Sequence, residues 1–202
     1  AGFYILLTSY DDLFCDDFIL PMGNLRESRS GVKRADIIIV TKCTATLTTG
    51  AKENIIKEIQ PQTHQTVFFA TIAYSTPYHL FKTQRSPIDP ATNILLLCGI
   101  ANPRPLKDYL ESKMHTYDKL RYPDHHIFNS DDLADIKKQF AKTQSSNKVI
   151  LTTEKDATRL VKFEEDLKDF PVYVLPIEHS FLFNGAEAFN KLVLQFIDSF
   201  KK

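Results

Sequence analysis

Six short apolar runs constrain this chain more than any other feature. They are Phe3–Thr8, Asp36–Thr41, Thr66–Ala73, Asn93–Cys98, Lys148–Thr152 and Val172–Pro176. All are rich in Ile, Val, Leu and Phe, and most do not alternate with polar residues. Strands covered on both faces read this way, as in a parallel sheet, whereas a half-solvated antiparallel strand alternates. Parallel neighbours need crossover segments, and helical spacing is found between several of the runs. Ala51–Gln60 carries Ile55, Ile56 and Ile59, and Asp131–Lys142 carries Leu133, Ile136 and Phe140. Gly185–Phe200 carries Phe189, Leu192, Val193, Phe196, Ile197 and Phe200 on one face, with Asn184 as its expected N-cap and Glu187 three residues on. The pattern predicts an α/β fold of layered, mostly parallel sheets with flanking helices and right-handed crossovers.

The rhythm breaks over Tyr74–Pro90, which holds Pro77, Pro87 and Pro90. Proline is excluded from helix interiors and central strands, so this stretch is expected to be a hinge. That divides the chain into 1–73, a linker 74–90, and a second α/β lobe 91–202. A length of 202 residues accommodates two small domains of this kind. Lys plus Arg and Asp plus Glu are each 25, so no global basic field exists to draw nucleic acid. The longest apolar runs, Phe3–Leu7 and Ile94–Cys98, fall far short of the ~20 residues of a membrane helix. The three cysteines, Cys15, Cys43 and Cys98, are far apart, which argues against a disulfide framework or zinc site and for a reducing compartment. A strand-like segment directly after Ala1 and Gly2, with no secretory signal, reads as a fragment or as a chain whose earlier residues are missing.

Catalogue motifs leave function open. Thr48-Thr49-Gly50-Ala51-Lys52 imitates a Walker A loop but lacks the second glycine and the Lys-Ser/Thr pair, and GxGxxG, GxSxG and HExxH are absent. Four local constellations remain. In Leu97-Cys98-Gly99-Ile100-Ala101-Asn102-Pro103 a strand ends, Gly99 permits a tight turn and Asn102 caps a helix. This is a usual seat for an anion or substrate in α/β proteins, and equally an ordinary helix start. In Tyr122-Pro123-Asp124-His125-His126, histidine offers charge tunable near neutrality and aspartate can fix its tautomer. Catalysis, a solvated loop and metal ligation all fit, though further ligands are not supplied. In Leu151-Thr152-Thr153-Glu154-Lys155-Asp156-Ala157, two hydroxyls and a lysine stand at a helix start. They suit a phosphate, or a capped helix with a local ion pair. Arg26, in Leu25-Arg26-Glu27-Ser28, is placed to fork onto a phosphate or to pair with Glu27. The acidic pairs Asp11-Asp12 and Asp16-Asp17 read as a solvated loop, with metal binding as the lesser alternative.

Taken in order, these blocks resemble the tetraacyldisaccharide 4′-kinase family of lipid A biosynthesis in Gram-negative bacteria. The blocks are Leu25-Arg26-Glu27, Arg34-Ala35-Asp36 through Cys43, Gly99-Ile100-Ala101-Asn102-Pro103, Asp124-His125-His126, Leu151 to Leu160, and Val172 to Ile177. The resemblance implies a two-lobed kinase: the end of a P-loop-type lobe, then a Rossmann-like second lobe. It implies transfer of the ATP γ-phosphate, with magnesium, onto the 4′-hydroxyl of an acylated glucosamine disaccharide. The enzyme would be peripheral, at the cytoplasmic face of the inner membrane, with no nucleic-acid partner. The family's Walker A loop and Asp-rich catalytic stretch have no counterpart here. The chain is therefore expected to be the C-terminal part, soluble and inactive alone, with magnesium ligands and the main membrane contact in the missing N-terminal part. His125 matches the family histidine that pairs with the catalytic aspartate, with Asp124 beside it, and Arg26 matches an arginine that contacts nucleotide phosphates. Asn102, Thr153, Lys155 and Asp156 are further substrate-site candidates, and no residue is assigned to a metal. The alternative is a stand-alone α/β binding or interaction domain that kept the fold and lost the chemistry.

Overall fold

The computed structural model describes residues 2–82, 84–113 and 116–200. The chain divides into two compact units, Ala1–Ala73 with Glu178–Lys202, and Tyr74–Ile177.

In the first unit, β1 (Ile5–Ser9), β2 (Ile37–Cys43), β3 (Thr66–Tyr74) and β9 (Ile177–Phe181) form a sheet in the order β1-β2-β3-β9. β1 with β2 and β2 with β3 are parallel, as the unbroken apolar runs require. Alternate residues point to opposite faces. Ile38, Val40 and Phe69 pack with Ile55 and Ile59 of α1 (Thr49–Ile59). Ile37, Ile39, Phe68 and Ala70 pack with Phe189 and Leu192 of α6 (Gly185–Asp198). The Walker-like segment is the start of α1, where Thr48 Oγ1 accepts from Ala51 N at 3.2 Å.

In the second unit, β4 (Tyr78–His79), β5 (Asn93–Cys98), β6 (Tyr117–Arg121), β7 (Lys148–Thr153) and β8 (Val172–Leu175) form a sheet in the order β4-β8-β7-β5-β6. All its pairings are parallel except β4 with β8. One face carries Leu95, Leu97, Ile150 and Val172 against Leu133 and Ile136 of α3 (Ser130–Lys142). The other carries Ile94, Leu96 and Leu151 against Leu106 and Leu110 of α2 (Arg104–Lys113). The short helices α4 (Glu154–Leu160) and α5 (Glu164–Leu167) follow β7 and close the first of these faces through Leu160 and Leu167.

Three expectations differ from this arrangement. The final helix belongs to the first unit and not to a lobe spanning 91–202. Its apolar face finds its partners there, with the Phe189 ring 5.6 Å edge-on from Phe68. Residues 74–90 form part of the second unit. Their two-residue strand pairs Tyr78 with Val174 and His79 with Tyr173, and Pro77 and Pro87 lie outside that ladder, where no amide is required. Asn184 does not cap α6. It sits at φ 55° with no capping hydrogen bond, and Phe183 beside it is also left-handed at φ 54°. This double left-handed turn sets the entry to α6.

Candidate functional site

The matched blocks of the second unit converge at the carboxyl ends of its parallel strands, the usual ligand edge of such sheets. β5 ends at Cys98, β7 at Thr153 and β6 at Arg121, and Tyr122 N donates to Cys98 O at 3.0 Å. Asp156 ties the strand ends together. It is completely buried, and its Oδ2 accepts from Gly99 N and from Thr153 Oγ1, each at 2.9 Å. Gly99 is required by space and not by a left-handed turn. A Cβ there would lie 3.0 Å from Asp156 Oδ1 and 3.2 Å from Pro123 O. Among the described residues no glycine has positive φ.

This fastening reassigns three candidates. Thr153 Oγ1 accepts from Asp156 N at 3.2 Å and donates to the same side chain, so its hydroxyl caps α4 and does not face a phosphate. Thr152 Oγ1 donates to the buried Leu97 O at 3.2 Å. Asp156 itself is inaccessible to a substrate. Asn102, by contrast, is exposed and caps the start of α2 as expected, its Oδ1 accepting from Arg104 N at 3.1 Å.

What the edge presents to solvent is a charged cluster. Lys155 Nζ donates to Asp124 Oδ1 at 2.6 Å and lies 3.4 Å from His125 Nε2. The lysine's hydrogen bond, followed by the nearby charges of His125 and Lys155, holds the Asp124 carboxyl below its ordinary value. His125 Nε2 is 3.6 Å from Asp124 Oδ2, and its Nδ1 is 3.3 Å from Arg159 Nη2. Sequence reasoning misses Arg159. It is four residues after Lys155, hence on the same side of α4, a weak signal that does not by itself mark it. The cluster borders a shallow depression of about 440 Å³ lined by Ile100, Ala101, Arg121, Tyr122, Pro123 and Asp124.

The two histidines part company. His125 adopts φ 61°, a left-handed conformation uncommon outside glycine. The left-handed residue sends its ring to Lys155 and Arg159. His126 stacks on Tyr122 at 4.7 Å and bonds Asp132 Oδ2 at 2.8 Å. Asp132 also accepts from Asn129 N at 2.9 Å in the capping box of α3, so His126 helps to hold that helix start.

Arg26 lies in the first unit, in an irregular loop tied by Asp17, whose Oδ1 accepts from Phe18 N at 2.7 Å. The expected pair with Glu27 does not form. Glu27 binds Arg34 at 2.6 Å, and Arg26 is exposed, with no hydrogen bond or ion pair to its side chain among the described residues. Among the described residues one group gathers metal-type ligands: Cys15, Asp16 and Glu58, with ligand atoms within 4.8 Å of one another. A hydrogen bond shared with Asp16 pushes the Glu58 carboxyl above its ordinary value. Cys43 and Cys98 are buried, and burial raises both thiols.

A model of the family described as tetraacyldisaccharide-1-P 4′-kinase matches residues 2–198. The tetraacyldisaccharide 4′-kinase of Bacteroides thetaiotaomicron is 39% identical over 97% of this chain and 55% of its own length. That of Flavobacterium johnsoniae is 40% identical over 98% of this chain and 55% of its own length. The crystal structure of LpxK from Aquifex aeolicus in complex with ATP superposes with a TM-score of 0.61 at 18% identity, covering 96% of this chain and 52% of that one. The chain thus spans about half the length of the curated relatives it matches.

Proposed function

The chain belongs to the tetraacyldisaccharide 4′-kinase family, and from that membership we propose that it brings His125, Asp124 and Arg26 to a phosphoryl transfer. The reaction is transfer of the γ-phosphoryl group of ATP to the 4′-hydroxyl of an acylated glucosamine disaccharide 1-phosphate. The observation that carries the reading is the cluster Asp124–Lys155–His125–Arg159 at the carboxyl edge of the sheet. Phosphoryl transfer asks for positive charge near the phosphates and a positioned acid–base group near the hydroxyl. Lys155 and Arg159 bring positive charge to two sides of the His125 ring, and the exposed Arg26 is available to a phosphate.

Other parts come from elsewhere in the reading. No Walker A loop occurs in the sequence. Magnesium favours an octahedron of oxygens, and the cluster's one exposed carboxylate, Asp124, is already bound to Lys155. These residues do not fit a magnesium site. Its ligands, and the cradle for the β- and γ-phosphates, are assigned to the length of the relatives that this chain does not span. In this reading the enzyme is a peripheral protein at the cytoplasmic face of the inner membrane, where it meets its acylated substrate. Among the described residues, no helix is long and apolar enough to cross a membrane.

The test compares two proteins with ATP and magnesium. The 202-residue chain alone should neither hydrolyse ATP nor label the lipid. The chain extended to its relatives' length should transfer labelled phosphate to the 4′-position. Turnover by the chain alone, or a full-length protein that never labels the 4′-position, contradicts the proposal.

A further inference from the structure

Arg159 and Asp156 form a chain of contacts that ends on His125. The Asp156 carboxylate is fixed on one oxygen by Gly99 N and Thr153 Oγ1. Among the described residues its other oxygen, Oδ1, has no hydrogen-bond partner but faces Arg159 Nη1 at 3.5 Å. Arg159 Nη1 is likewise buried without a hydrogen bond among those residues, and the side chain is 22% exposed. Its second nitrogen, Nη2, reaches His125 Nδ1 at 3.3 Å. A guanidinium is a rigid planar fork, so anchoring one nitrogen fixes where the other points.

Donor and acceptor chemistry then selects a tautomer. Arginine can only donate, so the nitrogen it meets must carry the lone pair, and a neutral imidazole has one lone pair and one N–H. Lys155 also can only donate, and it approaches Nε2 at 3.4 Å. The two cations compete for one lone pair. The surroundings of Nε2 favour the proton there, because Asp124 Oδ2 lies 3.6 Å away and Lys155 already has a shorter acceptor, Asp124 Oδ1, at 2.6 Å.

We propose that Arg159, anchored by the buried Asp156, is a positioning residue that holds the His125 ring with Nδ1 accepting and Nε2 carrying the proton. This rests on the reading of His125 as the acid–base group of the kinase, and it sharpens that reading. A ring held this way donates a hydrogen bond from Nε2, to a carboxylate base or a phosphoryl oxygen, so it is the proton-donating partner in the acid–base chemistry and a separate base takes the proton of the attacking hydroxyl.

Long-range proton–nitrogen NMR on the 202-residue chain reports which ring nitrogen is protonated without needing activity. His125→Gln identifies the resonances. The neutral His125 ring should be a single Nε2–H tautomer. Arg159→Glu sets an acceptor against Nδ1 and should invert the ring to Nδ1–H. Should that variant not fold beside Asp156, Arg159→Met should move the Nδ1 nitrogen resonance towards that of a free imidazole. A wild-type ring that is Nδ1–H or mixed, or a resonance indifferent to Arg159→Met, overturns the proposal. In the full-length kinase, Arg159→Met should lower kcat by about 10²-fold with KM for ATP little changed. If the tautomer behaves as stated while His125→Ala keeps full activity, the positioning stands and the catalytic reading of His125 falls.

Discussion

Replacing Asp156 with alanine removes a side chain that ties β5, β7 and α4 together, and its cost can be assembled from the contacts. Gly99 N loses its 2.9 Å acceptor in a buried place, and an orphaned buried donor costs about 1–3 kcal/mol. Thr153 Oγ1 loses the partner to which it donates, and Arg159 loses the counter-ion 3.5 Å from its buried Nη1. Arg159 is 22% exposed, so its lost counter-ion weighs less than the ~3–5 kcal/mol of a fully buried pair, and the three losses together come to roughly 3–5 kcal/mol. Asp156→Asn should cost roughly half as much, about 2 kcal/mol. Its carbonyl oxygen can still accept from Gly99, but its amide then faces Arg159 donor to donor. Urea unfolding gives the stability change, and hydrogen exchange at Gly99 locates it. That amide should be strongly protected in the wild type and lose protection in Asp156→Ala before the centre of β5 does. A loss below about 1 kcal/mol with Gly99 still protected would refute the argument that Asp156 fastens this edge.

Two more outcomes follow from the same geometry. Asp124 is held low by Lys155, so the pair's small stabilisation is present above the ordinary carboxylate value and lost as pH falls through the lowered one. Lys155→Met should raise the Asp124 midpoint, read from its carboxyl carbon by NMR, while barely altering global stability because the pair is exposed. His126→Ala should cost about 2 kcal/mol through the lost Tyr122 stack and Asp132 hydrogen bond, measured by chemical denaturation, and should leave the Asp124 midpoint in place.

Much of the fold is legible because burial on both faces leaves an unbroken apolar run. Asn93–Cys98 is a strand in the sequence pattern and in the structure with the same bounds. β6 and β9 escape that logic: Tyr117–Arg121 lies at a sheet edge, Ile177–Phe181 is largely exposed, and both carry polar side chains. β4 has two residues, too few for any period. The helix Gly185–Asp198 is legible as a helix, but which sheet it covers is settled by Phe68, Phe181 and Ile37, more than one hundred residues away for two of them. At the site, the sequence places Asp124, His125 and Lys155 on neighbouring loops and helix starts, and they meet. It gives no sign that the Thr153 hydroxyl and the Asp156 carboxylate face inward to each other. Which way a cap residue is buried is a tertiary fact. Arg159 stays hidden for the same reason, since only the left-handed turn at His125 brings that ring to it.

The central claim is that the cluster around His125 is the chemical site and that His126 is structural. Its most direct test is the rate of 4′-phosphorylation by the full-length kinase carrying either His125→Ala or His126→Ala, each first shown to be folded. His125→Ala should lower kcat by about 10²–10⁴-fold, the range for losing a positioned acid–base group. His126→Ala should cost about tenfold or less. A crippled His126→Ala beside a nearly normal His125→Ala would contradict the account.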